Sequence, residues 1–486
     1  MILESLFKNT DILLKKDEIG IDIDEVTVKL DEINEKSLLI ILNNVILNDL
    51  KRMQKLPCAV LVDSDVEIDL NIPTFFTKNI RRSTAYIFSN LHQINYSDTK
   101  FIGITGTNGK TTTATYIYHI FNESGEKVGF FGTGNINLNG TRLSDEYYSM
   151  TTPDPWILYP RIKDMQNSGC KIIVMEVSSH SLFFEKTSPI EFEYAVFTNL
   201  SEEHLDFHSS MEEYFNVKKK LFQSCKNAIL NIDDEYARVI NREISCRKIN
   251  IGILWKGDVF ATHISDLGLL GSEYMYRSKD LIFKMKLHTP GVYNIYNSML
   301  ATAVCCDLGV KPCIAKQSLN NLDKIDGRFE IYRSDITVVS DYAHTTAAFE
   351  TLLKTIFGYK ENRKITVVFG CGGERDRKKR PLMAKTAEKY ADNIVVTEDN
   401  SRSEPISTII NDITSGFTKN NYRIILNREY AIKECIQNAE CGEIIVITGK
   451  SSEKYIIKGH EFLPFDEKAI ISNSLKCRSD FYENIT

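Results

Sequence analysis

The stretch that most restricts what this chain can fold into is Phe101-Ile102-Gly103-Ile104-Thr105-Gly106-Thr107-Asn108-Gly109-Lys110-Thr111-Thr112-Thr113. An apolar run, a glycine-punctuated turn and a segment with Ile117, Ile120 and Phe121 at helical spacing follow in the order strand, loop, helix. Glycines at 103, 106 and 109 let successive backbone N–H groups face one anion. Lys110 adds a point charge, Thr111 offers a hydroxyl to Mg²⁺, and the helix contributes the positive end of its dipole. Gly106, Thr107, Asn108, Gly109, Lys110, Thr111 and Thr112 are therefore the residues expected to receive nucleotide phosphates. Ile104 stands where the strict G-x-x-x-x-G-K-[ST] pattern has glycine, so this is a variant of that pattern.

Around the loop the chain reads as α/β. Apolar runs at 101–105, 171–177, 194–199 and 228–232 have the character of buried strands in a mostly parallel sheet. Polar residues gather where these runs end, in Glu176-Val177-Ser178-Ser179-His180 and in the 198–208 stretch through His204, Leu205, Asp206 and His208. Ligand sites of α/β sheets lie at that edge. Glu176 and His204 are thus the candidates to hold a metal beside the loop. After Gly327 a second α/β alternation begins, with strands expected at 336–340, 365–369, 393–397 and 444–448 and a helix over 381–390. The turn at 369–376 follows one of these strands, and Arg375, Arg402 and Arg328 can fork onto carboxylate or phosphate oxygens. On composition alone Lys218, Lys219 and Lys220 form a solvated basic patch.

A length of 486 residues implies about three domains. The expected division is a small N-terminal α/β domain at 1–97, a central ATP-binding domain at 98–326 and a Rossmann-like domain at 327–486. A net charge of −6 argues against a nucleic-acid surface. No apolar run reaches the roughly 20 residues needed to span a bilayer. The eleven cysteines lack paired metal-ligand spacing and are expected to be reduced thiols in a cytoplasmic protein.

Taken together, the motifs resemble the Mur ligase family of ATP-dependent peptidoglycan-precursor ligases. The resemblance is carried by 105–112, Thr151-Thr152-Pro153-Asp154, 176–180, 197–208, Gly291 to Asn297, Gly327-Arg328, Asp341-Tyr342-Ala343-His344-Thr345, and 369–376 with Lys379-Arg380-Pro381-Leu382-Met383. It implies three domains, which receive the UDP moiety, ATP and the amino acid, and a carboxylate phosphorylated by ATP before an amine attacks it. By resemblance, Lys110, Glu176, His204 and Lys218 are catalytic. Thr111, Glu176, His204 and Lys218 hold Mg²⁺, Lys218 doing so as a carbamate. Asn294, Asn297, Arg328 and Asp341 would meet ATP. Thr151, Thr152, Ser178 and Lys186 would meet the UDP-linked substrate, with Lys186 standing where the family has arginine.

The amine pocket would comprise Arg375, Asn400, Arg402, Gly449 and Glu453. The family's Asp-Asn-Pro-Arg is here Asp399-Asn400-Ser401-Arg402, and its Gly-Lys-Gly-His-Glu is Gly449-Lys450-Ser451-Ser452-Glu453. Retained Arg402 favours meso-diaminopimelate over lysine, with lanthionine as an isosteric alternative. The expected partners are small molecules only: ATP, a UDP-muramoyl dipeptide and a diamino acid, with no nucleic acid or membrane, and the chain is expected to be a monomer. A different acyl acceptor and a P-loop NTPase that drives no ligation stay open.

Overall fold

The computed structural model describes residues 3–15, 18, 21–43, 45–50, 52–53, 55–67, 71–143, 150–204 and 207–483; Leu205 and Asp206 of the 198–208 motif lie outside these. Among the described residues the central sheet has eleven strands. Their order is Ile282–Leu287, Ser272–Arg277, Val259–Asp266, Arg247–Gly252, Cys225–Asn231, Phe192–Phe197, Lys100–Thr105, Ile172–Glu176, Val128–Gly132, Asn135–Leu138 and Thr141–Arg142. From Val259–Asp266 to Val128–Gly132 the neighbours run parallel, while both margins are closed by antiparallel pairs. The four apolar runs expected from the sequence form the middle of this sheet. Its margins were not expected, because Ser272–Arg277 alternates buried and half-buried residues and Val128–Gly132 contains two glycines.

Strand Lys100–Thr105 lies between Phe192–Phe197 and Ile172–Glu176. Gly103 is needed there, since a Cβ on it would stand 2.7 Å from the Phe192 ring. Helices Lys110–Glu123, Val292–Asp307 and Pro312–Asn320 cover one face and bury Ile117, Ile120, Met299, Leu300 and Val304 with Ile102 and Ile104. The opposite face shares one continuous core with the N-terminal residues, where Leu6, Ile40, Phe75 and Phe88 cluster with Phe101, Tyr159 and Phe197. The N-terminal sheet is parallel, in the order Glu25–Thr27, Ser37–Ile40, Ala59–Asp63, Thr74–Thr77. Helix Ile80–Leu91 follows it, with Asn79 accepting the Arg82 N–H as its cap.

The third sheet runs Glu330–Arg333, Thr337–Asp341, Ile444–Thr448, Ile365–Phe369, Asn393–Val396, Tyr422–Ile424, all parallel except the first pair. The loops after strands Thr337–Asp341, Ile365–Phe369, Asn393–Val396 and Ile444–Thr448 therefore leave the sheet at one edge. That edge meets the phosphate-loop edge of the central sheet through Arg328, whose Nη2 donates to Thr111 Oγ1 at 2.8 Å.

Candidate active site

The loop after strand Lys100–Thr105 is shaped by the end of its neighbour. Gly106 has φ 143°, and a Cβ there would lie 2.0 Å from Thr198 Oγ1. The Thr107 N–H donates to Asn199 O at 2.8 Å and the Asn108 N–H to Asn199 Oδ1 at 3.0 Å, while the Thr198 hydroxyl donates to Asn108 O at 2.6 Å. Gly109, at φ 83°, opens the helix against Asn297, whose Oδ1 would be 2.4 Å from a Cβ at 109. Asn297 also accepts from Thr113 Oγ1 at 3.2 Å and donates to Asn294 Oδ1 at 3.3 Å. Both asparagines are buried behind the loop, so in this arrangement they brace it.

Two lysines converge on the carbonyls of the turn. Lys110 Nζ donates to Gly106 O at 3.0 Å and Thr107 O at 2.7 Å, and Lys218 Nζ donates to the same Gly106 O at 2.8 Å. Lys218 is 1% exposed. Burial, and then the neighbouring Lys110 charge, push its amine well below the ordinary lysine value, with Glu203 opposing. Helix Met211–Lys219 explains how one lysine of three is singled out: Lys218 points under the loop, whereas Lys219 reaches out to Glu243 at 2.7 Å. The Lys218 Nζ lies 4.7 Å from the centre of the Tyr214 ring, and the His204 ring centre lies 6.0 Å from it, so Lys218 and His204 flank the same side chain.

Glu176 is fully buried at the end of its strand. Its Oε2 accepts the Thr111 hydroxyl at 3.0 Å and its Oε1 the Thr133 N–H at 2.9 Å. Thr133 Oγ1 is 3.1 Å from Thr151 Oγ1. Thr152 donates to Glu176 O at 2.9 Å and accepts the Ser178 N–H at 3.1 Å. Lys186 Nζ is 2.7 Å from Asp154 Oδ1. Of the residues expected to meet the UDP-linked substrate, Thr151, Thr152 and Ser178 are thus gathered beside Glu176, while Lys186 pairs with Asp154.

Beyond the third sheet the remaining candidates meet. Arg402 Nη1 donates to Gly373 O at 2.7 Å, and a Cβ on Gly372 would lie 3.2 Å from Arg402 Nη1 and 3.7 Å from Arg375 Cγ. Burial and then Arg375 hold the Arg402 guanidinium below its usual value. A carboxylate received between the two would relieve that repulsion. Arg380, fully buried, grips Glu404 with two bonds of 2.7 Å, and Glu404 accepts the Glu374 N–H at 3.0 Å, which fixes the 370–376 turn against Arg402. Asn400 Nδ2 donates to Glu453 Oε2 at 3.1 Å; Lys450 donates to Asn400 Oδ1 and Glu453 Oε2, both at 2.6 Å. Gly449, at φ 109°, donates its N–H to Asp341 O at 3.1 Å. The half-buried Asp341 carboxylate accepts the N–H groups of Phe329 at 2.7 Å and Ala343 at 2.8 Å, and desolvation raises its pKa. A cleft lined by Thr111, Thr133, Arg142, Arg328, Tyr342 and Glu453 joins this pocket to the phosphate loop.

Residues 104–305 match the Mur ligase middle domain, and residues 327–451 match the Mur ligase glutamate ligase domain. A UDP-N-acetylmuramoyl-L-alanyl-D-glutamate–2,6-diaminopimelate ligase of Clostridium acetobutylicum is 38% identical over 400 residues, 82% of either chain. The chain belongs to the Mur ligase family. A Mur ligase of the same description from Clostridioides difficile is 36% identical over 493 residues, covering 98% of this chain and 99% of its own. The solved structure of a ligase so described matches at TM-score 0.68 and 23% identity over 99% of both chains, which shows the fold. As a Mur ligase the chain is an ATP-dependent enzyme that forms a C–N bond, and Mur ligases use ATP and Mg²⁺.

The site of this Mur ligase fits both. Among the described residues no group of three or more His, Cys, Asp or Glu is placed to hold a metal. Mg²⁺ characteristically takes one or two protein oxygens and completes its shell with phosphates and water, and the paired Thr111 and Glu176 oxygens beside the loop supply that share. No helix among the described residues is long and apolar enough to cross a membrane. Thr133, Glu203, Tyr342 and Lys450 were not among the residues expected at the site. The last three lie inside the motifs at 198–208, 341–345 and 449–453, and Glu203 directly precedes His204. Thr133 follows a glycine-rich strand that carries no chemical signature.

Proposed function

We propose that this Mur ligase uses ATP to join meso-diaminopimelate to UDP-N-acetylmuramoyl-L-alanyl-D-glutamate in peptidoglycan precursor synthesis. The observation that carries the choice of amine is the pair Arg375 and Arg402 beside Gly372, with Asn400 and Glu453 next to them. Two guanidinium groups suit the distal carboxylate of a dicarboxylic diamine, whereas lysine would bring a second ammonium there.

A carboxylate resists attack by an amine until one of its oxygens becomes a leaving group. The N–H groups that open helix Lys110–Glu123, rather than those of Thr107 and Asn108 that Asn199 takes, and Lys110 hold the nucleotide phosphates in line with that carboxylate, which Thr151, Thr152, Ser178 and Lys186 orient. Phosphoryl transfer gives an acyl phosphate and ADP. The amine then attacks the carbonyl carbon, loses a proton, and inorganic phosphate departs with one former carboxylate oxygen. Thr111 and Glu176 would hold Mg²⁺, and His204 with Lys218 would form a second station. When bound, Mg²⁺ neutralises phosphate charge as it shifts during transfer.

The buried amine of Lys218 supports its modification. Burial disfavours its charged form, and the neutral amine can add to CO₂, release a proton and become an anionic carbamate able to bind metal. Residues 1–97 would receive the UDP moiety, 98–326 ATP, and 327–486 the amine, with Arg328 and Asp341 completing the ATP site that Asn294 and Asn297 brace from behind. The ligase acts as a cytoplasmic monomer in this reading.

Phosphate release from ATP tests the proposal, measured with the UDP-dipeptide and, separately, meso-diaminopimelate, lanthionine, lysine and ornithine, with the product mass determined. Release with meso-diaminopimelate and the mass of the tripeptide are expected. Release with lysine or ornithine but with neither dicarboxylic amine would overturn the pocket assignment, and equal release with no amine would make the enzyme a nucleotidase.

A further inference from the structure

Glu453 in the amine pocket and Thr111 on the phosphate loop are connected through two side chains, Tyr342 and Arg328. Tyr342 donates its hydroxyl to Glu453 Oε1 at 3.1 Å. The Arg328 guanidinium lies 4.8 Å from the centre of the same Tyr342 ring and reaches on to Thr111 Oγ1 at 2.8 Å, and Thr111 donates to Glu176. All four residues from Glu453 to Thr111 line the same cleft.

The backbone ties the middle of this chain of contacts together. The Tyr342 N–H donates to Gly327 O at 3.2 Å, and the Asp341 carboxylate takes the Phe329 and Ala343 N–H groups. Arg328 and Tyr342 are therefore held as a unit, flanked on both sides by bonds between their segments. The two Glu453 oxygens differ in what faces them. Oε2 accepts the Lys450 ammonium at 2.6 Å and the Asn400 amide at 3.1 Å, whereas Oε1 accepts the neutral Tyr342 hydroxyl. An incoming ammonium is drawn to the less neutralised Oε1, and there it meets Tyr342.

We propose that Tyr342 is a positioning residue that couples the diamino-acid pocket to the phosphate loop, its hydroxyl engaging Glu453 and its ring holding Arg328 over Thr111. The inference rests on the reading of Arg375 to Glu453 as the amine pocket. Substrate at Glu453 fixes the Tyr342 ring, the ring fixes Arg328, and Arg328 is then set where phosphate in the loop meets it. Binding at either end thereby favours binding at the other.

Two substitutions separate the halves of the link. Tyr342→Phe keeps the ring and removes the hydroxyl, and Tyr342→Leu removes both. In the native enzyme, meso-diaminopimelate is expected to tighten a non-hydrolysable ATP analogue by about fivefold in calorimetric titrations. With Tyr342→Phe, the diamino-acid KM should rise about tenfold and the coupling should fall below about twofold, while the analogue's own affinity stays native. With Tyr342→Leu, the analogue should also bind about threefold or more weakly. A side chain that merely stabilised the fold would not split the two ligands in this way, and if the Leu variant fails to fold, the Phe variant decides. Native enzyme that releases phosphate with meso-diaminopimelate, beside a Phe variant with unchanged KM and undiminished coupling, overturns this proposal alone. Native enzyme that releases none with any dicarboxylic diamine overturns the pocket reading and this proposal with it.

Discussion

Lys218→Ala is expected to lower kcat about a thousandfold, the scale of several kcal/mol of lost metal-based charge stabilisation, while the protein remains folded. Lys218 is buried under the phosphate loop with its amine on Gly106 O, beside a second lysine. As an ammonium Lys218 would add a buried like charge beside Lys110, so burial and that neighbour disfavour its charged form. Replacing it removes one hydrogen bond, a change of about 1 kcal/mol, and also removes a basic group that is costly to bury. Thermal melting should therefore shift by only a few degrees. The carbamate reading adds a sharper expectation. Short carboxylates such as formate or acetate should restore part of the lost activity by standing in for the missing anion, and they should leave the native enzyme unaffected. Full activity in Lys218→Ala would remove the residue from the chemistry.

Glu176→Gln should also reduce kcat, by a factor of about 100 to 1,000, and should raise the Mg²⁺ concentration needed for half-maximal rate. The side chains are nearly the same size, and the glutamine oxygen can still accept the Thr133 N–H that Glu176 Oε1 accepts at 2.9 Å. The other end becomes an NH₂ donor facing the hydroxyls of Thr111 and Thr133, at 3.0 and 3.4 Å in the native arrangement. Those hydroxyls can rotate to accept, so the fold survives, but the negative charge next to the loop is gone. A titration of rate against Mg²⁺ at fixed ATP checks this. An unchanged Mg²⁺ dependence would show that Glu176 only braces Thr111 and Thr133.

The phosphate loop was legible in the sequence because its requirements are local. Gly106 and Gly109 adopt φ values that other residues resist, and Lys110 and Thr111 follow at fixed spacing. The buried strands were legible as unbroken apolar runs; 365–369 and 444–448 recur in the structure with the same limits. Lys218 was not distinguishable from Lys219 and Lys220 by composition, because only the phase of helix Met211–Lys219 decides which one turns inward. Glycine packing was equally hidden: a Cβ on Gly129 would stand 2.3 Å from Met165 Sδ, a contact between segments 36 positions apart in sequence. The link from Glu453 through Tyr342 to Arg328 and Thr111 spans both sheets, and no spacing rule brings such residues together.

The measurement that bears most directly on carboxylate activation uses UDP-dipeptide labelled with ¹⁸O in both oxygens of the accepting carboxylate, incubated with ATP and meso-diaminopimelate. Transfer through an acyl phosphate predicts inorganic phosphate carrying one ¹⁸O, an amide product retaining the other, and no net phosphate release when the amine is omitted. Unlabelled phosphate, or phosphate released at the same rate without the amine, would contradict the account.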